Sequence, residues 1–243
     1  MSVGGGFSAY ALERLSKDPQ FILYRAREPA SRRRVLLFAP ASENLPQHIL
    51  KRIEHEYALR AELDSAWAAM PIALAHDGGR TILVRKDPGG EPLDQLLERP
   101  FDLRQFLRIA IGLTTALAAM HERRIVHRDI RPANILVNAA SGKVWLTGFG
   151  VATGPLRQPQ APEPSATVGA TLAYMAPEQT GRMNRSIDTR SDLFRSESPS
   201  IKCSPALCLS LPPTLSNGSI VTSRGSRHRR MSEGKKFLRH YRP

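Results

Sequence analysis

An aspartate and an asparagine five positions apart, Asp129 and Asn134, close the run His127-Arg128-Asp129-Ile130-Arg131-Pro132-Ala133-Asn134. The run fits the pattern H-R-D-x-x-x-x-N, and the spacing has a chemical reason. Moving a phosphoryl group onto a hydroxyl needs a carboxylate beside the attacking oxygen. It also needs a side chain that turns back from a few residues further on to hold a metal ion. Asp129 is the candidate base and Asn134 the candidate metal ligand. Ile135-Leu136-Val137 follows directly and reads as a strand that would anchor the turn.

Such a turn must be held between regular elements. Tyr10–Leu15 and Phe21–Arg27 read as paired strands around Lys17-Asp18-Pro19, and Val35–Ala39 as a third, buried strand. His48–Leu63 has Ile49, Ile53 and Tyr57 along one helical face. Ile72–Ala75 and Thr81–Arg85 form a hairpin around Asp77-Gly78-Gly79, and Asp87–Glu91 is a Gly/Pro linker. Leu103–Met120 is a long helix, apolar enough through Ile109–Leu117 to lie centrally. Ile135–Asn138 and Lys143–Leu146 are short strands joined at Ser141-Gly142. Strands with one helix come first, and a mainly helical half follows.

From these residues the chain resembles the protein kinase superfamily over most of residues 10–194. Ala176-Pro177-Glu178 matches the A-P-E motif that ends an activation segment, and Gly169 to Tyr174 looks like the stretch that docks a protein substrate. Asp188 to Phe194 looks like the start of the following helix. The wording at 174–185 is similar to the Ser/Thr-kinase-like domain that opens bacterial hybrid sensor histidine kinases. The resemblance implies an α+β, bilobal fold: a small β-rich N-lobe and a helical C-lobe, here incomplete. It implies ATP and Mg²⁺ as cofactors, and a protein substrate or downstream signalling domains as partners. It makes Asp129, Arg131 and Asn134 the catalytic residues, with Arg131 standing for the usual loop lysine. His127, Arg128, Glu56, Glu178 and Asp192 become their support, Asp192 as the brace of the catalytic loop and Glu178 as the partner of an arginine further on.

Departures from the family pattern are as informative. Thr147-Gly148-Phe149-Gly150 puts Gly148 where the metal-binding aspartate of D-F-G belongs. Val35-Leu36-Leu37-Phe38 puts Phe38 where the phosphate-binding lysine belongs, leaving Glu56 without its expected partner and so either solvated or paired locally. Ser16 to Gln20 contains no glycine, so a Gly-rich phosphate loop is absent, and Gly4-Gly5-Gly6 precedes the first strand and reads as a flexible start. Removing one preorganised electrostatic group costs roughly 10²–10³ in rate, and parts that act as a unit do not simply multiply. Three such groups are missing, so a pseudokinase or a severely impaired kinase is expected, with at most one metal ion held by Asp129 and Asn134.

Composition bounds the remaining possibilities. The 243 residues are 41% hydrophobic and 23% charged, enough for a buried core and unlike a disordered or collagen-like chain. No uninterrupted apolar run reaches the ~18 residues of a membrane helix, and Met1 to Gly6 lacks a signal-peptide layout, so a cytoplasmic address is expected. Cys203 and Cys208 make neither a disulfide framework nor a metal site. The net charge is +13, but residues 195–243 contribute +8 of it, with ten serines and five prolines and no helical or strand period. That segment cannot offset its ordering entropy by burial. The organisation read from sequence is therefore a flexible start at 1–9, an N-lobe at 10–86, an incomplete C-lobe at 87–194 and a basic tail at 195–243 with no specific nucleic-acid partner.

The tail also fails to continue the kinase pattern, and the genetic code suggests why. Residues 195–224 back-translate through permitted codons beginning CGC TCG GAG TCA CCT TCT ATC AAA TGC. Read from the third base, these give L-G-V-T-F-Y-Q-M and then L-T-G-A-L-P-F-S-A-S-D-P-L-E-W-V-H-C-H-I-A, a fluent kinase-like helix and loop. The sequence thus predicts a frameshifted product from Arg195 onward. Three readings follow: a Ser/Thr protein kinase, a non-catalytic signalling module, and a truncated fragment with no function of its own.

Overall fold

A computed structural model describes residues 11–17, 20–28, 31–42, 46–77, 79–98, 102–154, 176, 178 and 187–196. Gly4 to Gly6, Gly169 to Tyr174, Pro177 and nearly all of the tail lie outside the described residues.

The first half is an antiparallel sheet of five strands: β1 (Glu13–Lys17), β2 (Phe21–Arg27), β3 (Arg34–Pro40), β4 (Pro71–Asp77) and β5 (Arg80–Lys86). Their order is β1-β2-β3-β5-β4. Hairpins join β1 to β2 and β4 to β5, and β3 to β5 closes the middle with Leu36 opposite Arg85 and Phe38 opposite Leu83. Alternation along the strands sends Ala26, Val35, Leu37, Ile82 and Val84 into one apolar cluster. Phe21 and Leu83 pack on the other face against Ile49 and Ile53 of helix α1 (Gln47–Ala58). The helix is shorter than its apolar spacing predicts, because Leu59–Ala61 tightens into a 3₁₀ turn. β1 lies two to three residues later than expected, and a register shift between Arg14 and Ser16 marks its irregular edge.

The linker is more structured than its glycines predict. The buried Asp87 carboxylate accepts from Arg25 Nε at 2.9 Å and Arg34 Nε at 3.0 Å, pinning the start of the linker to β2 and β3. A two-residue strand, β6 (Glu91–Pro92), then joins β7 (Ile135–Asn138) and β8 (Lys143–Leu146) in a second sheet. Gly90 is required on the way: its φ is +81°, and a Cβ there would lie 2.7 Å from the Val137 backbone. A short helix, α2 (Leu93–Leu96), follows.

Helix α3 (Leu103–Glu122) begins at Asp102, whose carboxylate accepts from Gln105 N at 2.7 Å. Ile109, Leu113, Ala116, Leu117 and Met120 are buried in the largest core cluster with Ile130, Ile135, Val137, Val144 and Leu146. Leu103, Leu107 and Ile111 stay exposed on another face. By length and composition alone α3 reaches the size of a membrane-crossing helix, although Arg104, Gln105 and Arg108 interrupt its apolar run. One face of it packs on β8 and on Ile130 of the catalytic turn. α4 (Thr189–Ser196) closes the described chain.

The architecture is α+β and bilobal, a five-stranded sheet with α1 beside a second half built on α3 and the β6–β8 sheet. The segment between α1 and β4 joins the two. Ala69 N donates to Leu146 O at 3.0 Å, and Leu146 N donates to Trp67 O at 2.8 Å.

Candidate active site

The catalytic turn is held from three sides. Val126 and Thr153 exchange backbone hydrogen bonds of 2.9 Å at its entrance. Beneath it, the buried Asp192 carboxylate of α4 accepts from His127 N and Arg128 N, both at 2.8 Å. His121 Nε2 of α3 lies 3.0 Å from the same carboxylate. Arg128 occupies the left-handed region at φ +65°, which costs energy for a non-glycine residue and persists because these partners hold it. At the exit a 3₁₀ turn, Pro132–Asn134, leads into β7.

His127 is fully buried. Its Nε2 donates to Thr147 O at 2.9 Å, and its Nδ1 accepts from Asp129 N at 3.2 Å, a pairing that requires the neutral ring. Burial pushes its pKa down, against the opposing pull of the Asp192 and Asp129 charges. The ring packs at 4.6 Å on Phe149, which meets Trp67 edge-on at 6.1 Å. His127 is thus a strut between the turn and the Thr147–Gly150 segment.

Asp129, Asn134 and Arg131 come together. Asn134 Nδ2 donates to Asp129 O at 2.9 Å and to Asp129 Oδ2 at 3.0 Å. Arg131 Nε lies 3.6 Å from the same Oδ2. Nearby on α2, burial raises the Asp94 pKa, opposed by the Gln95 N–H and the Arg131 charge. Glu178 accepts a hydrogen bond from Ser191 Oγ. A local hydroxyl thus serves the carboxylate for which the resemblance implies an arginine.

With its expected lysine lost at Phe38, Glu56 is paired with another residue and is not solvated. Glu56 is only 2% exposed, and its Oε1 lies 2.7 Å from Nε of Arg85, which is 1% exposed. Arg85 projects from β5 on the face shared by Leu36 and Phe38, so β5 supplies the cation that β3 lacks. Its guanidinium sits 4.5 Å from the Phe38 ring centroid, and Phe38 stacks on Phe21 at 4.3 Å. Sequence reasoning missed Arg85. The available signal was an arginine ending the apolar run Ile82-Leu83-Val84, at a strand position with inward neighbours.

These residues lack one of the two metal ligands that the resemblance implies for Mg²⁺. Gly148 contributes no carboxylate, and Asn134, whose amide nitrogen donates to Asp129, retains its carbonyl oxygen as the atom that could face a cation. A Cβ on Gly148 would meet the Asn134 amide at 2.8 Å, so the position of the missing carboxylate is packed against Asn134. Among the described residues no three His, Cys, Asp or Glu side chains converge on a metal site. The cleft does not suit ATP: between Ser16, Phe21, Leu23 and Phe38 above and Arg131, Ala133, Asn134 and Thr147 below there is about 20 Å³ of free space.

Comparison with known proteins bears on the family. The protein kinase domain family matches residues 41–196, more than half of the chain. The match begins just after β3, beyond the strands where the phosphate-loop glycines and the lysine are missing. Serine/threonine-protein kinase pkn2 of Myxococcus xanthus is 29% identical over 59% of this chain and 18% of its own length. Serine/threonine-protein kinase C of Synechocystis is 30% identical over 65% of this chain and 32% of its own. The peroxide stress-activated histidine kinase mak2 of Schizosaccharomyces pombe is 31% identical over 59% of this chain and 7% of its own. The chain therefore spans less than a third of each of these relatives, and on the family match and the geometry together it belongs to the protein kinase domain family.

Proposed function

We propose that the chain is a kinase-fold signalling module in which phosphoryl transfer is severely impaired. One observation carries the reading: Gly148 stands at the metal-carboxylate position with its backbone against the Asn134 amide. Phosphoryl transfer depends on positioning and charge neutralisation, and loss of one such group costs roughly 10²–10³ in rate. In this reading residues 10–86 and 87–194 are the two lobes. Asp129, Arg131 and Asn134, supported by His127, Arg128, Asp192, Glu178 and Glu56, keep an inherited architecture. The likeness to a histidine kinase supports a place beside downstream signalling domains, which would be its partners. The basic segment 195–243 is read as out of frame, with no nucleic-acid partner of its own.

The test is transfer from radiolabelled ATP to a generic protein substrate with Mg²⁺ or Mn²⁺. The full chain should incorporate no more label than its Asp129→Asn variant. Incorporation abolished by that substitution would instead establish a working Ser/Thr protein kinase. The contacts among Asp129, Arg131 and Asn134 favour this second reading over a fragment without any role.

A further inference from the structure

The space that a nucleotide would occupy is filled by this chain's own side chains, and the filling is organised. Leu15, Leu23 and Leu36 of the five-stranded sheet form one apolar cluster with Ala69, with Leu136 of β7 and with Trp145 of β8, across the line between the halves. Leu36 and Leu136 are completely buried. Phe38 and Phe21 extend the filling toward α1, and Arg85 lies against Phe38 with its Nε on Glu56. At the mouth, the Gln95 side chain of α2 donates to the Leu15 carbonyl, a direct tie between the halves. What remains is about 20 Å³, room for roughly one water. Sites for small ligands run to about 300–1,000 Å³.

Helix α1 is also held without help from a ligand. Glu56 reaches Arg85 on one side, and on the other His55 Nε2 lies 2.7 Å from Ala152 O, just beyond the Gly148–Gly150 segment. A buried carboxylate needs a fixed counter-charge. A lysine on β3 would carry that charge into the open cleft. Arg85 instead delivers it from β5 beneath an aromatic lid.

We propose that the nucleotide cleft has become a structural clasp, in which Phe21 and Phe38 fill the slot and Arg85 replaces the lost lysine as partner of Glu56, so that α1 and both halves are held with no nucleotide bound. The proposal rests on the non-catalytic reading and goes further, since an impaired kinase could still bind ATP. Arg85 is a positioning residue here, acting through Glu56.

Two measurements on the full chain test it. The first is titration with the fluorescent trinitrophenyl analogue of ATP, with and without Mg²⁺, which needs no unfolding transition. No saturable signal is expected, and saturable binding displaced by ATP overturns the clasp while leaving the transfer assay to judge catalysis. The second is a double-mutant cycle on Arg85→Leu and Glu56→Gln, read by urea denaturation, with Arg85→Lys as the conservative variant. Each single change should lower the folding equilibrium constant, the pair should couple by about tenfold or more, and Arg85→Lys should recover part of the loss. Independent effects, or no recovery in Arg85→Lys, overturn the clasp. If the single variants do not fold, the nucleotide titration of the unmodified chain decides alone.

Discussion

At the scale of single residues, Gly148 and His127 show how a site can keep its framework after losing its chemistry. Gly148 has φ +81°, where an L side chain is strained, and Asn134 occupies the place of a Cβ. Gly148→Ala should therefore cost about 1–2 kcal/mol or more, measured as a lower urea midpoint. His127 makes a different prediction. Its folded pKa lies below the ordinary 6.5 because the ring is buried, so the unfolded chain binds a proton that the native chain refuses. The stability linked to this residue is complete above pH 6.5 and is lost as pH falls toward the folded pKa. Thermal unfolding followed from pH 7.5 downward should show a steeper decline in the unmodified chain than in His127→Gln. The residues that the sequence singled out and the structure brings to one turn, Asp129, Asn134 and Asp192, sit in contiguous motifs with fixed spacing. Arg85 was not legible, because its importance arises from a partner 29 positions away on another element.

At the scale of elements, periodicity carried most of the reading. β2, β7 and β8 have the bounds their alternation predicts, since each is buried against a neighbour that fixes its register. β1 drifts because it is an edge strand with one partner and a register shift. The linker reading of Asp87–Glu91 stops at the start of β6, and α2 lies beyond it: two and four residues are too short to show a period, and their structure comes from contacts with β7 and the catalytic turn. Helix α3 gives a prediction by face. Leu117 is buried in the main cluster and Ile111 is 65% exposed. Leu117→Ala should cost about 2–5 kcal/mol, whereas Ile111→Ala should stay within roughly 0.5 kcal/mol. Equal losses in chemical denaturation would mean that Ile111 is covered.

At the scale of the whole molecule, Asp192 joins what the chain keeps far apart. One buried carboxylate on α4 takes hydrogen bonds from two backbone amides of the catalytic turn and lies 3.0 Å from the His121 ring of α3. Asp192→Ala would leave both amides unpaired and should cost about 3 kcal/mol or more, with faster proteolysis around residues 126–131 as the local readout. The nucleotide sequence of the gene tests the tail, because codons from Arg195 onward that are incompatible with the offset reading exclude a frameshift. The amino-acid sequence by itself determined the family, the two-part α+β architecture and the absence of three phosphate- or metal-binding groups. These are properties of motif, period and residue type, which act locally along the chain. Only the tertiary structure decided that Glu56 keeps a counter-charge and that the cleft is filled. Both depend on which strand lies beside which, and on how Phe21, Phe38 and Leu136 pack once the lobes meet.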